Sequence, residues 1–262
     1  MDFLIVAFAA FFVSGLTLFS GFGLGTLLLP VFALFFPVEV AVAAVAVVHG
    51  INNLFKIFVV GRHADRSLVL RFGLPAVFAA FVGASALGYV SQFEAIIRYS
   101  VGSKTAVITP VKLAVGFLML VFAWIELSPK FRKLTFKRQH LVAGGVLSGF
   151  FGGFSGHQGA LRSAFLVKAD IATEAFVGTN AFIGFMVDAA RIATYIFIFL
   201  ATGMGTAIGS DRWPLILTGI LGAFGGVMTG KRFLHKVTMK SIQTLTGILL
   251  LGIALALGLG LI

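Results

Sequence analysis

The 262-residue chain contains no cysteine. Disulfides, thiolate metal sites and cysteine nucleophiles are therefore excluded. Charge is scarce as well. Only 11% of the residues are Asp, Glu, Lys or Arg, and 59% are hydrophobic, whereas soluble domains carry about 25% charged residues. Such a chain cannot clothe a water-facing surface, and its long apolar runs point to an all-α integral membrane protein. No Lys or Arg precedes Lys56, so the opening MDFLIVAFAAFF lacks a basic leader and a cleaved signal peptide is not expected. No HExxH, paired intramembrane aspartates or nucleophile constellation is present. GFGLGT at 21–26 has neither the preceding strand nor the βαβ unit that a nucleotide loop needs. Neither an enzyme nor a cofactor is expected.

What the chain has in quantity is phenylalanine, with 30 residues, and glycine, with 32; glycine lets membrane helices approach closely. It also has a net charge of +11. No basic stretch sits on a soluble module, so nucleic-acid binding is not expected; the basic residues gather in loops, where they orient membrane segments. Arg62, Arg66 and Arg71 share one loop. Lys130, Arg132, Lys133, Lys137 and Arg138 share a second, and Lys231, Arg232, Lys236 and Lys240 a third. The loops assigned to the other face hold only Arg98, Lys104 and Arg212.

Apolar blocks fall at 3–36, 38–61, 70–90, 110–127, 140–167, 171–201, 213–230 and 241–262, four in each half. Displacing the chain by 135 residues superimposes Phe19-Ser20-Gly21 on Phe154-Ser155-Gly156, Glu39 on Glu174, Asn53 on Asp188 and Lys56 on Arg191. Pro75 and Gly83 meet Pro214 and Gly222 at an offset of 139. This ordered series predicts an internal duplication, residues 1–130 and 131–262.

Three blocks separate the second basic loop from the third. Three full spans would leave those loops on opposite faces, so one block must not cross. Block 140–167 is long and broken by glycine, as is block 3–36, and each reads as a re-entrant helical hairpin. The expected plan is a hairpin plus three transmembrane helices per half, the halves inverted, the basic loops cytoplasmic and both termini outside. Eight full spans with parallel repeats is the alternative, and it misplaces one basic loop.

Charge inside the apolar blocks is costly, about 3 kcal/mol per residue at the bilayer centre. Lys112 can snorkel to the interface. Lys56, Arg162 and Arg191 lie deeper; snorkelling is open to Lys56 and Arg191, but their matched positions suggest two cations flanking one central site. Asp188 precedes Arg191 by three residues, on the same helix face, and can neutralise it. Its counterpart Asn53 cannot do the same for Lys56, which leaves a surplus of about two positive charges that an anion would offset. The hairpin breaks at Ser20, Gly21, Phe22 and Gly23 and at Ser155, Gly156, His157 and Gln158 would aim free N–H groups and side-chain donors at the same place. Arg162, one turn further on, offers a bidentate fork. Ser20 and Ser155 can instead cap helices, and His157 and His49 can be structural. His157 can also titrate, so a proton, or else sodium, is a candidate coupling ion.

The first hairpin, SGFGLGTLLLPVFALFFPVEVAVA, resembles the signature of the sulfite exporter TauE/SafE family through Gly21, Gly23, Gly25 and Pro30. The second copy keeps Gly149, Gly152, Gly153 and Gly156 but reads GHQGALRSAF where many members repeat the glycine–proline pattern. Length, duplication and hairpin placement extend the resemblance over the whole chain. It implies a permease of the bacterial inner membrane for sulfite, sulfoacetate or related sulfonates, its partners being a small anion and the lipid bilayer, with a homo-oligomer open. Carriage of thiosulfate through cysteine contacts is excluded. The expected function is a secondary transporter, an exporter, working by alternating access; an anion channel, a carboxylate permease, and an accessory subunit or membrane enzyme are the alternatives.

Overall fold

The structure, a computed structural model, describes residues 1–17, 24–102, 104–131, 135–166, 171–202, 212–233 and 239–262. Among the described residues, five helical segments are long and apolar enough to cross a membrane: Val38–His63, Arg66–Val90, Pro110–Leu127, Thr173–Thr202 and Trp213–Gly230. They coincide with five of the six spans expected from the sequence. The sixth is α11 (Met239–Gly258), in which residues 243–258 form a shorter apolar helix. The span Arg66–Val90 is not regular. It begins as α4 (Arg66–Leu68), passes through a π turn at Val69–Gly73 and continues as α5 (Leu74–Val90).

Each glycine-broken block holds two helices among the described residues. The first gives α1 (Asp2–Thr17) and α2 (Leu24–Ala33), the second α7 (Leu141–Ser155) and α8 (Gly159–Leu166). At about 1.5 Å per residue none of the four reaches across a core of about 30 Å. The second pair folds back on itself: Gly144 lies against the Phe165 ring, and the Phe136 N–H, just ahead of α7, donates to the Ala164 carbonyl at 3.2 Å. The chain thus returns to the end from which it entered. The turn is made at Gly156, whose φ of 80° is the left-handed conformation that glycine adopts without strain.

The remaining helices are α3 (Val38–Val60), α6 (Pro110–Leu127), α9 (Thr173–Thr202) and α10 (Trp213–Phe233). Their packing is reciprocal. α1 runs along α10, and α7 runs along α5; α3 pairs with α9, and α6 with α11. Small residues make the first two seams. Gly145, Gly149 and Gly153 of α7 sit against the backbone of Phe72, Ala76 and Ala80, while Gly222 and Gly226 of α10 sit against that of Ala7 and Phe11. Spacing by four residues puts each glycine set on one helix face, where backbones can touch without a hydrophobic drive to bring them together. Large apolar side chains such as Phe58, Phe78, Phe197 and Leu200 point outward, as a lipid-facing surface requires.

One element was not expected. Residues read as a loop form an antiparallel hairpin, β1 (Ile97–Val101) and β2 (Lys104–Ile108), with Ile97 opposite Ile108. It is anchored to the end of the chain, Val107 N–H donating to the Gly260 carbonyl at 3.0 Å. Lys112 also belongs to this edge. Its Nζ donates to the Val107 carbonyl at 2.8 Å, the snorkelling arrangement.

Candidate functional site

Where α3 and α9 cross the second hairpin, polar side chains gather in an otherwise apolar interior. Asp188 of α9 is at the centre, fully buried. Arg191, one turn on, donates to Asp188 Oδ1 from Nε at 3.0 Å and from Nη2 at 2.7 Å. Its Nη1 donates to the Gly152 carbonyl of α7 at 3.0 Å. Gln158, at the hairpin tip, donates from Nε2 to the same Oδ1 at 3.0 Å. The other carboxylate oxygen faces α3: Asn53 Nδ2 donates to it at 3.2 Å, and His49 Nδ1 lies 2.6 Å away. A buried carboxylate survives only with such a shell, since each unmatched lone pair costs desolvation.

Arg162 is joined to this cluster. Its Nε donates to Asn180 Oδ1 at 2.7 Å and its Nη1 to Gln158 Oε1 at 3.0 Å. Gln158 therefore bridges Arg162 and Asp188, both ends of its amide committed. Asn180 is itself held by the Phe176 carbonyl at 2.9 Å. Lys56, buried on α3, makes no hydrogen bond or ion pair among the described residues, and it lies near enough to Arg162 for the two charges to repel. Neither Arg162 nor Lys56 forms an ion pair among the described residues; Asp188 is paired with Arg191 and His49. Among the described residues, no group of acidic residues and histidines could hold a metal ion.

The hairpin tip adds further groups. His157 stacks on Phe122 of α6, with centroids 4.9 Å apart and planes 10° from parallel. Its Nδ1 is 3.0 Å from Ser155 Oγ, which donates to the Phe151 carbonyl, while its Nε2 is buried with no partner among the described residues. Asn52 accepts from Ser14 Oγ at 2.9 Å, and its Nδ2 is likewise without a described partner. Tyr195 donates to the Gly153 carbonyl. The second tip meets the first hairpin at Gly25, where a methyl group would fall 3.4 Å from the Gly156 carbonyl oxygen.

Of the residues expected at the site, Asn53, Gln158, Asp188 and Arg191 form one hydrogen-bonded cluster that Arg162 joins through Gln158, and Lys56 lies beside it. Ser155, Gly156 and His157 make up the adjoining tip. Ser20, Gly21, Phe22 and Gly23 lie outside the described residues, as do Arg132, Lys133 and Lys236 of the basic loops. His49 and Asn180 were missed. His49 read as a structural histidine, and Asn180 stood out in no motif. The only trace of His49's role in the sequence is its spacing, one turn before Asn53.

A polytopic helical bundle with several apolar spans defines the class as an all-α integral membrane protein. Residues 3–257, nearly the whole chain, match the sulfite exporter TauE/SafE family, and the chain belongs to it. Members of that family are membrane transporters and not enzymes. No curated protein matches the chain, and no solved structure does.

Proposed function

We propose that this transporter carries a small sulfur oxyanion, sulfite or an organosulfonate, out of the cell, by alternating access around the Arg162–Lys56 site. The observation that carries this reading is the pair of buried cations without an acid of their own. Burying two uncompensated charges is expensive, and a bound oxyanion would offset both. Arg162 uses Nε and one Nη1 hydrogen within the protein, so the Nη2 edge is the part left for an anion. The first N–H groups of α8 supply neutral donors nearby.

The helix pairings support a duplicated plan for residues 1–130 and 131–262, and the loop charges support its inversion. Exchanging α1 with α7, α5 with α10, α3 with α9 and α6 with α11 leaves the set of pairings unchanged. Asn53 and Asp188, equivalent under the displacement of 135, touch one another at 3.2 Å, as residues beside a two-fold axis do. A site on such an axis can be reached from either face by rocking one half against the other. The coupling ion in this scheme is a proton, with His49 against Asp188 as the group to carry it, or sodium.

Lys56→Met tests the reading. It removes one surplus cation without orphaning a hydrogen-bond partner, so the protein should fold as well as the parent. Sulfite binding to the purified protein, read by thermal shift, should weaken about tenfold or more. Unchanged sulfite affinity in folded Lys56→Met and Arg162→Lys proteins would count against the site.

A further inference from the structure

A second pocket lies at one end of the bundle, well apart from the Asp188 cluster in character. It encloses about 500 Å³ between the end of α3, the start of α4 and the middle of α9. Arg62 and Arg66 stand on its polar side, and Ile57, Leu70 and Phe182 wall the other. Both arginines are exposed and bonded to no described residue. Asp65, the acid beside them among the described residues, is turned inward: its Oδ1 accepts from the Leu68 N–H at 3.0 Å, and its own N–H donates to Thr179 Oγ1 at 2.9 Å.

Three features say what fits. The pocket sits where two membrane spans, Val38–His63 and Arg66–Val90, meet the water interface. Its apolar wall is continuous with the lipid-facing surface, for Leu70 is 55% exposed among Phe58 at 80% and Leu74 at 46%. Its shape is also built in. The π turn at Val69–Gly73 widens the start of the span, and Gly61 lets the Ile57 and Phe182 walls close together, since a methyl there would fall 3.0 Å from Ile57 and 3.1 Å from Phe182. Two guanidinium forks over a cleft that faces acyl chains match a phosphodiester with a hydrocarbon tail.

We infer that this pocket binds an anionic phospholipid, the phosphate between Arg62 and Arg66 and an acyl chain along Leu70 and Phe182. The bound lipid would tie α4 to α3 and α9, the two long helices that carry Lys56 and Asp188. The inference does not depend on what the protein carries.

The test is thermal unfolding of the purified full chain in detergent, with phosphatidylglycerol, phosphatidylcholine or inorganic phosphate added. Phosphatidylglycerol should raise the midpoint, and the other two should not. The Arg62→Gln, Arg66→Gln double variant should need roughly tenfold more phosphatidylglycerol, with its midpoint before lipid addition unchanged. An equal response to phosphatidylcholine, an equal response to inorganic phosphate, or a double variant that responds like the parent would each overturn the lipid site. Should the double variant not be isolated folded, Leu70→Asp tests the same pocket from its acyl wall, and a retained phosphatidylglycerol response would refute it.

Discussion

Asp188 has two duties that can be separated by substitution. It neutralises Arg191, and it orients His49, Asn53 and Gln158 around one carboxylate. Asp188→Asn keeps the shape and removes the charge. Arg191 would then be buried with no counter-charge, and breaking a buried pair in this way costs about 3–5 kcal/mol. The variant should accumulate poorly and unfold at a markedly lower temperature. Adding Arg191→Met should return much of the lost stability, because the orphaned charge goes with it. If Asp188→Asn unfolds like the parent, the carboxylate is not what holds the cluster together. Arg162→Ala is a less clean probe than Lys56→Met. It would leave Asn180 Oδ1 and Gln158 Oε1 as buried acceptors without donors, each costing about 1–3 kcal/mol, so lost binding would be mixed with lost structure. How far each residue could be read in advance follows from the range of its interactions. The Asp188–Arg191 pair is local, three residues on one helix, and spacing reveals it. The His49–Asp188 contact joins residues 139 apart. It depends on how α3 and α9 are rotated against one another, which no local pattern encodes.

Among the elements, the break between α7 and α8 was legible because glycine is a local signal. Loop arithmetic requires one block not to cross, and glycine points to this one. The strand pair at 97–108 was legible in principle. Ile97-Arg98-Tyr99-Ser100-Val101 alternates apolar and polar residues before a glycine turn at Gly102, whose φ is 59°. It was obscured because a segment between two membrane blocks reads first as a loop. The sharpest prediction about an element concerns the α7–α5 seam. A methyl group at Gly149 would fall 2.6 Å from the Cα of Ala76, which is backbone and cannot step aside. Gly149→Ala must push α7 off α5, with an overpacking cost of about 1–3 kcal/mol. Because α7 carries Gly152 and leads into the tip, the displacement should also weaken anion binding. Gly252 serves as the control: no described atom lies within 4 Å of the place its methyl would take, and Gly252→Ala should be neutral. Equal stability of the two variants in detergent unfolding would show that the seam is not tightly packed.

For the whole molecule the decisive question is which way the second half faces, since opposed halves are what allow one site to open to either side. The lack of native cysteine makes the question accessible, because any introduced thiol is the only one present. Gln92, between α5 and β1, and Gln139, ahead of α7, are exposed and lie on opposite faces in both the inverted plan and the eight-span plan, so Gln92→Cys and Gln139→Cys calibrate outside and inside. Ser241, exposed at the start of α11, separates the plans. With a re-entrant second hairpin only α9 and α10 cross between Gln139 and Ser241, which returns the chain to the inner face. Ser241→Cys should then resist a membrane-impermeant thiol reagent applied to intact cells, as Gln139→Cys does. If α7 and α8 instead crossed as a span, Ser241 would emerge outside and label like Gln92→Cys. The return of α8 beside the start of α7, with the Phe136 N–H on the Ala164 carbonyl, favours the protected outcome. Each short helix packs one face on a long span of the other half, α1 on α10 and α7 on α5, and turns another face outward at Leu4, Phe8 and Val142. Labelling of Ser241→Cys from outside would remove the inversion, and with it the two-sided access on which the export mechanism rests.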